Sequence, residues 1–432
     1  MVLERTPGRT RAADRGRPTP TDLRRPTTAE LEVLLPPTRT LDIAMIGTRG
    51  VPAAYGGFET AVEEVGRRLV ERGHKVTVYT RGSASKEREY LGMKLVHLPA
   101  VPVKQLETLS HTGLSSAHAL LRKRYDAAFV FNAANSPFVP LLRARRIPIA
   151  LHMDGLEWKR SKWGGRGRAY YRWAEEFGVR WADALIADAP GIAEYYDREF
   201  GVPTELIRYG APLLDSAPAD GIRSLGLQSG GYHLVVARFE PENHVREIVE
   251  GYHASHAQMP LVVVGSAPYS AEYTRQIEEI AAADPRVRLL GGVYDQDLLD
   301  ALYFHAHTYV HGHSVGGTNP SLLRAMGAGT AVIAYDVGFN HETLDEHGWF
   351  FADAGEVQRH FTDLERDSSR VAGVGALVRE RAAAQFTWAN VAALYEHLAL
   401  RLANGESIHR DARGAQRREP ADESTASRLP VV

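Results

Sequence analysis

The residues best suited to hold a charged ligand lie between His313 and Gly329. Two adjacent glycines, Gly316 and Gly317, precede Thr318, Asn319, Pro320 and Ser321. Glycines permit backbone angles and close approaches that a Cβ forbids. Asn319 is a favoured helix N-cap, and Pro320 suits a first helical position, where its missing N–H would have no partner. Leu322, Leu323 and Met326 give the helix an apolar stripe, and Gly327 or Gly329 can end it in a left-handed turn. The open amides of such a helix start, with the dipole behind them, form a site for a phosphate or diphosphate. The same pattern also suits a tight α/β turn that binds nothing, because glycine-rich turns are common.

Other polar residues sit where strands end. Arg238 closes an apolar run and is a candidate clamp for a departing anion; its plainer reading is a surface ion pair. His152 and Asp154 follow Ile147–Leu151, with Gly155 marking a turn; a satisfied core position is the alternative for His152. Glu157, Trp158, Lys159, Arg160, Lys162 and Trp163 form a basic-aromatic loop suited to a membrane interface or an anionic lipid, or to ordinary packing under solvated charge. His305, His307, His311 and His313 alternate as on a strand, but no matching ligand cluster accompanies them, so no metal site is expected. Asp295 and Asp297 read as helix-capping charges rather than a metal motif.

The elements that must position these residues alternate. Leu41–Ile46 reads as a strand, followed by the loop Gly47-Thr48-Arg49-Gly50-Val51-Pro52-Ala53-Ala54-Tyr55-Gly56-Gly57, a helix over Phe58–Arg72 and a strand at Lys75–Tyr79. This β-α-β opening implies a parallel sheet with a right-handed crossover, and the loop lacks G-x-G-x-x-G spacing. Further strands are expected at 94–98, 128–131, 147–151, 184–187 and 205–209, with helices at 105–121, 137–145, 168–182 and 191–200. A second series has strands at 232–237, 261–264, 287–290, 308–311 and 331–335, with helices at 245–256, 271–283, 296–305 and 320–326. The fold class is therefore α/β, with two doubly wound parallel-sheet domains facing a central cleft. The expected division is an Arg- and Pro-rich disordered arm over 1–39, a first domain over 40–210, a second over 211–386 opening with a hinge at 211–231, a terminal helix over 387–403 packing back towards the first domain, and a disordered tail over 404–432.

Composition narrows the function classes. The chain has 432 residues, a net charge of −2 and no cysteine. Nucleic-acid binding is not expected, and disulfide or thiolate chemistry is excluded. No apolar run reaches the ~20 residues needed to cross a bilayer, so a cytoplasmic protein is expected, with membrane contact only from the inner surface. The missing dinucleotide fingerprint disfavours a dehydrogenase.

Four strings carry a resemblance: Ile46-Gly47-Thr48-Arg49-Gly50-Val51-Pro52 with Tyr55-Gly56-Gly57-Phe58-Glu59-Thr60; Asp154-Gly155-Leu156-Glu157-Trp158-Lys159-Arg160; Arg238-Phe239-Glu240-Pro241-Glu242-Asn243; and His311-Gly312-His313 through Asn319-Pro320-Ser321. In this order they resemble the bacterial rhamnosyltransferase group of glycosyltransferase family 4, over residues 40–400. The resemblance implies the GT-B fold and a retaining transfer of a deoxyhexose, L-rhamnose from dTDP-β-L-rhamnose, to a growing surface polysaccharide or its lipid-diphosphate precursor, with neither metal nor other cofactor. A non-catalytic nucleotide-sugar-binding subunit and a sugar-nucleotide epimerase on the same scaffold are the alternatives.

The same resemblance assigns residues. The second domain would hold the donor through Arg238, Asn243, Tyr294, His313, Gly316, Gly317, Thr318, Asn319, Ser321 and Arg324, with Tyr294 edging the base. The first would hold the acceptor through Gly47, Thr48, Arg49, Gly50, Tyr55, Gly56, Gly57, Glu157, Trp158 and Lys159. Asp154 falls where related retaining enzymes place a histidine against the sugar, with His152 beside it and Arg238 completing the catalytic set. Three departures stand out. Asn243 replaces the usual second cation, and Gly316 and Arg324 replace two glutamates, the second of which usually holds ribose hydroxyls. Adaptation to a deoxyribose nucleotide, reduced activity, or an Arg324 on the outer helix face would each account for the last. No carboxylate pair is spaced for glycoside hydrolysis.

Overall fold

Apolar runs too long to alternate, such as residues 43–46 and Leu261–Val264, are buried along their length, as strands covered on both faces must be. The computed structural model describes residues 39–53, 57–82, 87–103, 106–122, 124–153, 155–159, 163–266 and 270–409. The first lobe is an eight-stranded sheet built from β1 (Asp42–Ile46), β2 (Lys75–Arg81), β3 (Glu89–Tyr90), β4 (Met93–Leu98), β5 (Ala127–Phe131), β6 (Ile149–His152), β7 (Ala184–Ala187) and β8 (Glu205–Leu206). Its order is β3-β4-β2-β1-β5-β6-β7-β8, parallel except for the β3–β4 edge. The second lobe is a parallel sheet of β9 (His233–Val236), β10 (Leu261–Val264), β11 (Val287–Gly291), β12 (Thr308–His311), β13 (Ala331–Tyr335) and β14 (Trp349–Phe351), in the order β11-β10-β9-β12-β13-β14. The chain reverses its winding between β1 and β5 in one sheet and between β9 and β12 in the other. These are the switch points, outside whose strand ends an open sheet binds ligands.

In the first lobe the helices are α1 (Gly57–Glu71), α2 (Glu107–Arg122), α3 (Val139–Ala144), α4 (Gly165–Trp181) and α5 (Pro190–Phe200). The short α6 (Asp220–Ser224) leads into α7 (Val245–His253), α8 (Ala271–Ala283), α9 (Gln296–Phe304), α10 (Pro320–Ala328), α11 (Gly338–Leu344), α12 (Ala354–Leu364), α13 (Ser368–Gln385) and α14 (Trp388–Ala403). Helix α1 presents Ala61, Val62, Val65 and Leu69 to the sheet. Helix α14 packs on α1, and its Glu396 accepts from Arg72 at 2.6 Å and meets His74 at 2.7 Å. One apolar cluster continues from the first sheet through Tyr209, Ala211, Phe386 and Trp388 into the second.

Several expectations need correction. The helix expected over 137–145 begins as a 3-10 turn over Ala133–Phe138, capped by Asn132, and only then becomes α3. The segment 211–231, expected as the hinge, contains a helix and is bonded to the carboxy-terminal helices. Ala211 N–H donates to Phe386 at 2.5 Å, Arg379 pairs with Asp215 at 2.6 Å, and α6 lies within it. The tail expected to be disordered from 404 is ordered to 409: Gly405 turns the chain, and Ile408 N–H donates to Asp183 at 2.9 Å. The arm over 1–38 and the tail beyond 409 lie outside the described residues.

Candidate active site

The two loops that leave β9 and β12 interleave at the second switch point. Ser314 donates to the Glu242 carbonyl through both its N–H, at 2.9 Å, and its hydroxyl, at 3.0 Å. His244 Nδ1 lies 2.7 Å from the Gly312 carbonyl. A Cβ at Gly312 would collide with Asn243. Arg238, the second residue after β9, opens the first of these two loops, its guanidinium partly exposed and 3.5 Å from the buried Glu240. Asn243 is itself buried and donates to the Arg238 carbonyl at 2.8 Å, so its amide braces the loop that carries Arg238.

Helix α10 starts as its sequence requires. Asn319 accepts from Ser321 N–H at 2.9 Å, Pro320 is its first residue, and Gly329 ends it in a left-handed conformation at φ 76°. Gly316 has φ 132°, a region L side chains rarely adopt. Among the described residues, the backbone N–H groups of Gly316, Gly317, Thr318 and Asn319 donate to no partner, although Gly317 and Thr318 are buried. Buried open amides each cost about 1–3 kcal/mol. Four in sequence at a helix start form an anion cradle.

The first lobe meets this loop directly. A Cβ on Gly155 would lie 2.7 Å from Gly316 Cα, and one on Gly57, at the start of α1, 2.9 Å from Pro320 Cγ. Thr318 donates its hydroxyl to the Asp188 carbonyl at 2.6 Å, and the Asp188 carboxylate occupies the space a Cβ on Gly317 would need. The glycine loop thus lies between the lobes, with the starts of α1 and α10 facing each other.

The remaining candidates separate into groups. His152 is buried at the end of β6, with Phe58 at 5.1 Å, Phe131 at 5.9 Å and Tyr209 at 6.1 Å. Burial lowers its pKa to about 3, so it is a neutral ring rather than a cation. His313 stacks on the buried His311 at 4.4 Å, and burial likewise lowers His311 to about 3. Ser321 joins the cap by bonding Asn319 at 2.7 Å and accepting from Tyr309 at 3.0 Å. Tyr294 is 69 % exposed on the β11 side. Arg324 bonds α9 through Asp300 at 2.7 Å and Gln296 at 2.9 Å. His305 and His307 each find separate partners, Ser229 and the Leu364 carbonyl. Asp295 caps α9 by accepting from Asp297 and Leu298 N–H.

In the first lobe, Gly47 and Gly50 both have positive φ, and a side chain on Gly50 would strike Thr80. The buried Thr48 accepts from Gly50 N–H at 3.1 Å, and Arg49 N–H donates to Glu59 at 3.0 Å. Glu157 is buried and accepts from Trp163 at 3.1 Å, while Lys159 lies over the Trp158 ring. Tyr55, Gly56, Asp154, Arg160 and Lys162 lie outside the described residues. Asp188 was not singled out by sequence, and the one available signal was its place just after the strand 184–187. A cavity of about 430 Å³ bordered by Arg246, Glu250 and Glu279 lies between α7 and α8, on the flank of the second sheet rather than at its strand ends.

Comparison with known proteins agrees with this layout. Residues 56–210 match the glycosyl transferase 4-like domain, and residues 231–367 match the glycosyl transferases group 1 domain. Sucrose-phosphate synthase from Thermosynechococcus elongatus superposes with a TM-score of 0.69 at 23% identity, covering 86% of this chain and 99% of that one. HepE from Anabaena, solved with UDP-glucose, gives 0.67 at 16% identity over 83% and 100%. The catalytic domain of starch synthase IV from Arabidopsis thaliana, bound to ADP and acarbose, gives 0.64 at 15% identity over 85% and 100%. No curated protein matches the chain in sequence. With both matched domains in order and a two-sheet architecture shared along nearly the whole length of these structures, the chain joins a glycosyl transferase 4-like domain to a glycosyl transferases group 1 domain in the GT-B fold.

Proposed function

We propose that the protein transfers L-rhamnose from dTDP-β-L-rhamnose to a lipid-diphosphate-linked or growing cell-surface saccharide, with retention of configuration. The observation that carries the donor site is the row of open amides at Gly316–Asn319, on a loop interleaved with the one that bears Arg238. As the glycosidic bond breaks, negative charge grows on the diphosphate oxygens. Preorganised amides, the α10 dipole and one guanidinium stabilise that charge without reorganising. Asn243 holds the Arg238 loop, and Tyr294 is available to the base.

The neutral His152 ring, with Phe58, Phe131 and Tyr209, forms the apolar floor behind the sugar in this reading. Asp154, two residues on, is assigned the developing charge at the anomeric carbon. Arg324 in place of a glutamate fits a deoxyribose nucleotide, which has fewer hydroxyls to hold. The choice of rhamnose rests on the four sequence strings. The loops at Gly47–Gly57 and Glu157–Lys159 are assigned to the acceptor.

Purified full-length protein, supplied with dTDP-rhamnose and lipid-diphosphate saccharides, is expected to yield a product carrying one added rhamnose with retained anomeric configuration. Turnover of UDP-glucose and not dTDP-rhamnose overturns the donor assignment. Donor binding without transfer to any acceptor selects a binding subunit. An epimerised nucleotide sugar formed without acceptor selects an epimerase.

A further inference from the structure

The first turn of α5 has no cap from its own lobe. Ala189 stands at the N-cap position without a side-chain acceptor, and Pro190, the first helical residue, has no N–H to satisfy. Ile192 and Ala193 N–H both donate to the Ala189 carbonyl at 3.1 Å, so among the described residues Gly191 N–H is the donor of this turn left without a backbone partner. The acceptor that faces it comes from the second lobe. A Cβ on Gly191 would lie 3.5 Å from Glu342 Oε1 on α11, and α5 and α11 pack together. A carboxylate at a helix start satisfies an open amide and complements the helix dipole. Burial raises the Glu342 carboxyl above the ordinary glutamate pKa; Gly191 N–H and Arg208 offset part of this, and Glu194 on α5 adds to it. Arg208 also lies in the first lobe, over the Phe386 ring at 5.4 Å. Glu342 thus directs its charge at the other lobe rather than at its own helix.

This contact closes a circuit around the glycine loop. Asn340, on the same helix as Glu342, is fully buried and donates to the His313 carbonyl at 3.1 Å and the Tyr335 carbonyl at 2.9 Å. Asp188, just before α5, accepts from the Thr318 hydroxyl at 2.6 Å through its carbonyl. The chain from His313 to Thr318 is therefore held at one end by α11 and at the other by the segment that opens α5. Glu342 joins these two holders to each other. Arg381 on α13 secures the far end of α11, donating to the Thr343 carbonyl at 2.7 Å and the Glu342 carbonyl at 3.0 Å. A half-buried carboxylate is costly unless its partners are in place, so the two lobes share an interest in one relative setting.

We propose that Glu342 is a positioning residue: it caps α5 across the boundary between the lobes and so holds the Gly316–Asn319 amides in register with the strand ends of the first lobe. It acts through Asn340 and Asp188, not by contact with a donor. The cap itself is independent of what the protein transfers; its effect on turnover rests on the transfer reading above.

The chain has no cysteine, so spin labels at Arg198→Cys and Arg275→Cys, exposed on α5 and α8, report the distance between the lobes in full-length protein by pulsed dipolar spectroscopy. Glu342→Ala is expected to shift this distribution to longer distances. Glu342→Gln keeps an acceptor for Gly191 but loses the charge towards Arg208; it is expected to fall between, and it reads the same way should Glu342→Ala fail to fold. Turnover of dTDP-rhamnose in Glu342→Ala is expected to fall about tenfold or more, as misplacement of reacting groups does. Calorimetric affinity for dTDP is expected to stay within about threefold, since the amides and Arg238 remain. Thr318→Val opens the same circuit at its other link, so Glu342→Ala/Thr318→Val is expected to lose little more turnover than the worse single variant. Wild-type distances or wild-type turnover in the folded variants overturn the proposal, as do losses that multiply in the double variant or a fall in dTDP affinity equal to that in turnover. Lengthened distances in Glu342→Ala, with no sugar transfer by the wild type, contradict the transfer reading alone.

Discussion

Two glycine loops occupy equivalent places in the two lobes, and their amides differ. After β1, the N–H groups of Arg49, Gly50 and Ala53 are taken by Glu59, Thr48 and Glu63, two of them carboxylates from α1. After β12, the N–H groups of Gly316 to Asn319 have no partner among the described residues. One doubly wound plan thus yields a loop whose amides are bonded to its own side chains and a loop whose amides stay open, with the Asp188 carboxylate packed against Gly317. A diphosphate at the first would face Glu59 and Glu63, whose oxygens already hold the loop amides; at the second it would meet open amides and a helix dipole, with one carboxylate, Asp188, behind Gly317. Hydroxyl-rich ligands suit the first loop and charged ones the second.

Removing the cation should break this contrast most severely. Arg238→Ala is expected to weaken donor binding about a hundredfold or more by calorimetry, because one charged donor to a diphosphate is lost in a desolvated cleft. Arg238→Lys should recover part of it, which separates the charge from any destabilisation caused by leaving the buried Glu240 without its cation.

Next in size is the fit of the loop between the lobes. Gly317→Ala drives a Cβ into the Asp188 carboxylate and should cut turnover about tenfold or more. Adding Asp188→Ala should restore much of it; no restoration would show that the contact does not position the loop.

The link between α14 and the first lobe is a matter of stability. Burial raises the Glu396 carboxyl, but the bonds to His74 and Arg72 outweigh it, and its pKa lies below the ordinary glutamate value. A carboxyl depressed on folding contributes stability in full above its unfolded pKa and loses it as pH falls through the folded one. Glu396→Gln is therefore expected to cost about 2 kcal/mol in urea unfolding at pH 7, with the difference from wild type shrinking below about pH 4.

Glu59→Gln removes one of the two anions from the first loop. It should cost about 1 kcal/mol in stability and leave donor affinity within about threefold. Strong loss of donor binding there would erase the distinction between the loops. The smallest effect belongs to Arg324→Ala, whose pair with Asp300 is a peripheral one worth under about 1 kcal/mol. A large loss of nucleotide affinity would mean Arg324 contacts the donor.

Strongly apolar runs made much of this readable without coordinates. The strands at 184–187, 261–264, 308–311 and 331–335 appear with the expected bounds, as does the α8 helix over 271–283. The cap and stop of α10 were legible because Asn319, Pro320 and Gly329 each have one strong local use. The segment 338–385 was not assigned. Its β14 has three residues, and α13 buries Val371, Gly375, Val378 and Ala382, a stripe too small and weakly apolar to stand out. Pro148 delays β6, expected from 147, to Ile149. The commitment of Asn243 to its own loop and of Arg324 to α9 depended on partners distant in space or turned back on the backbone, which residue type alone does not encode. Asp188 was missed for the same reason: its partner Thr318 is 130 residues away.

The direct test is an amide-resolved titration of isotopically labelled protein with dTDP, followed by ¹H–¹⁵N correlation. The account predicts large downfield amide shifts at Gly316, Gly317, Thr318 and Asn319, with Arg49, Gly50 and Ala53 nearly unmoved. Shifts confined to the Arg49–Ala53 loop, with the 316–319 amides unchanged at saturation, would contradict it.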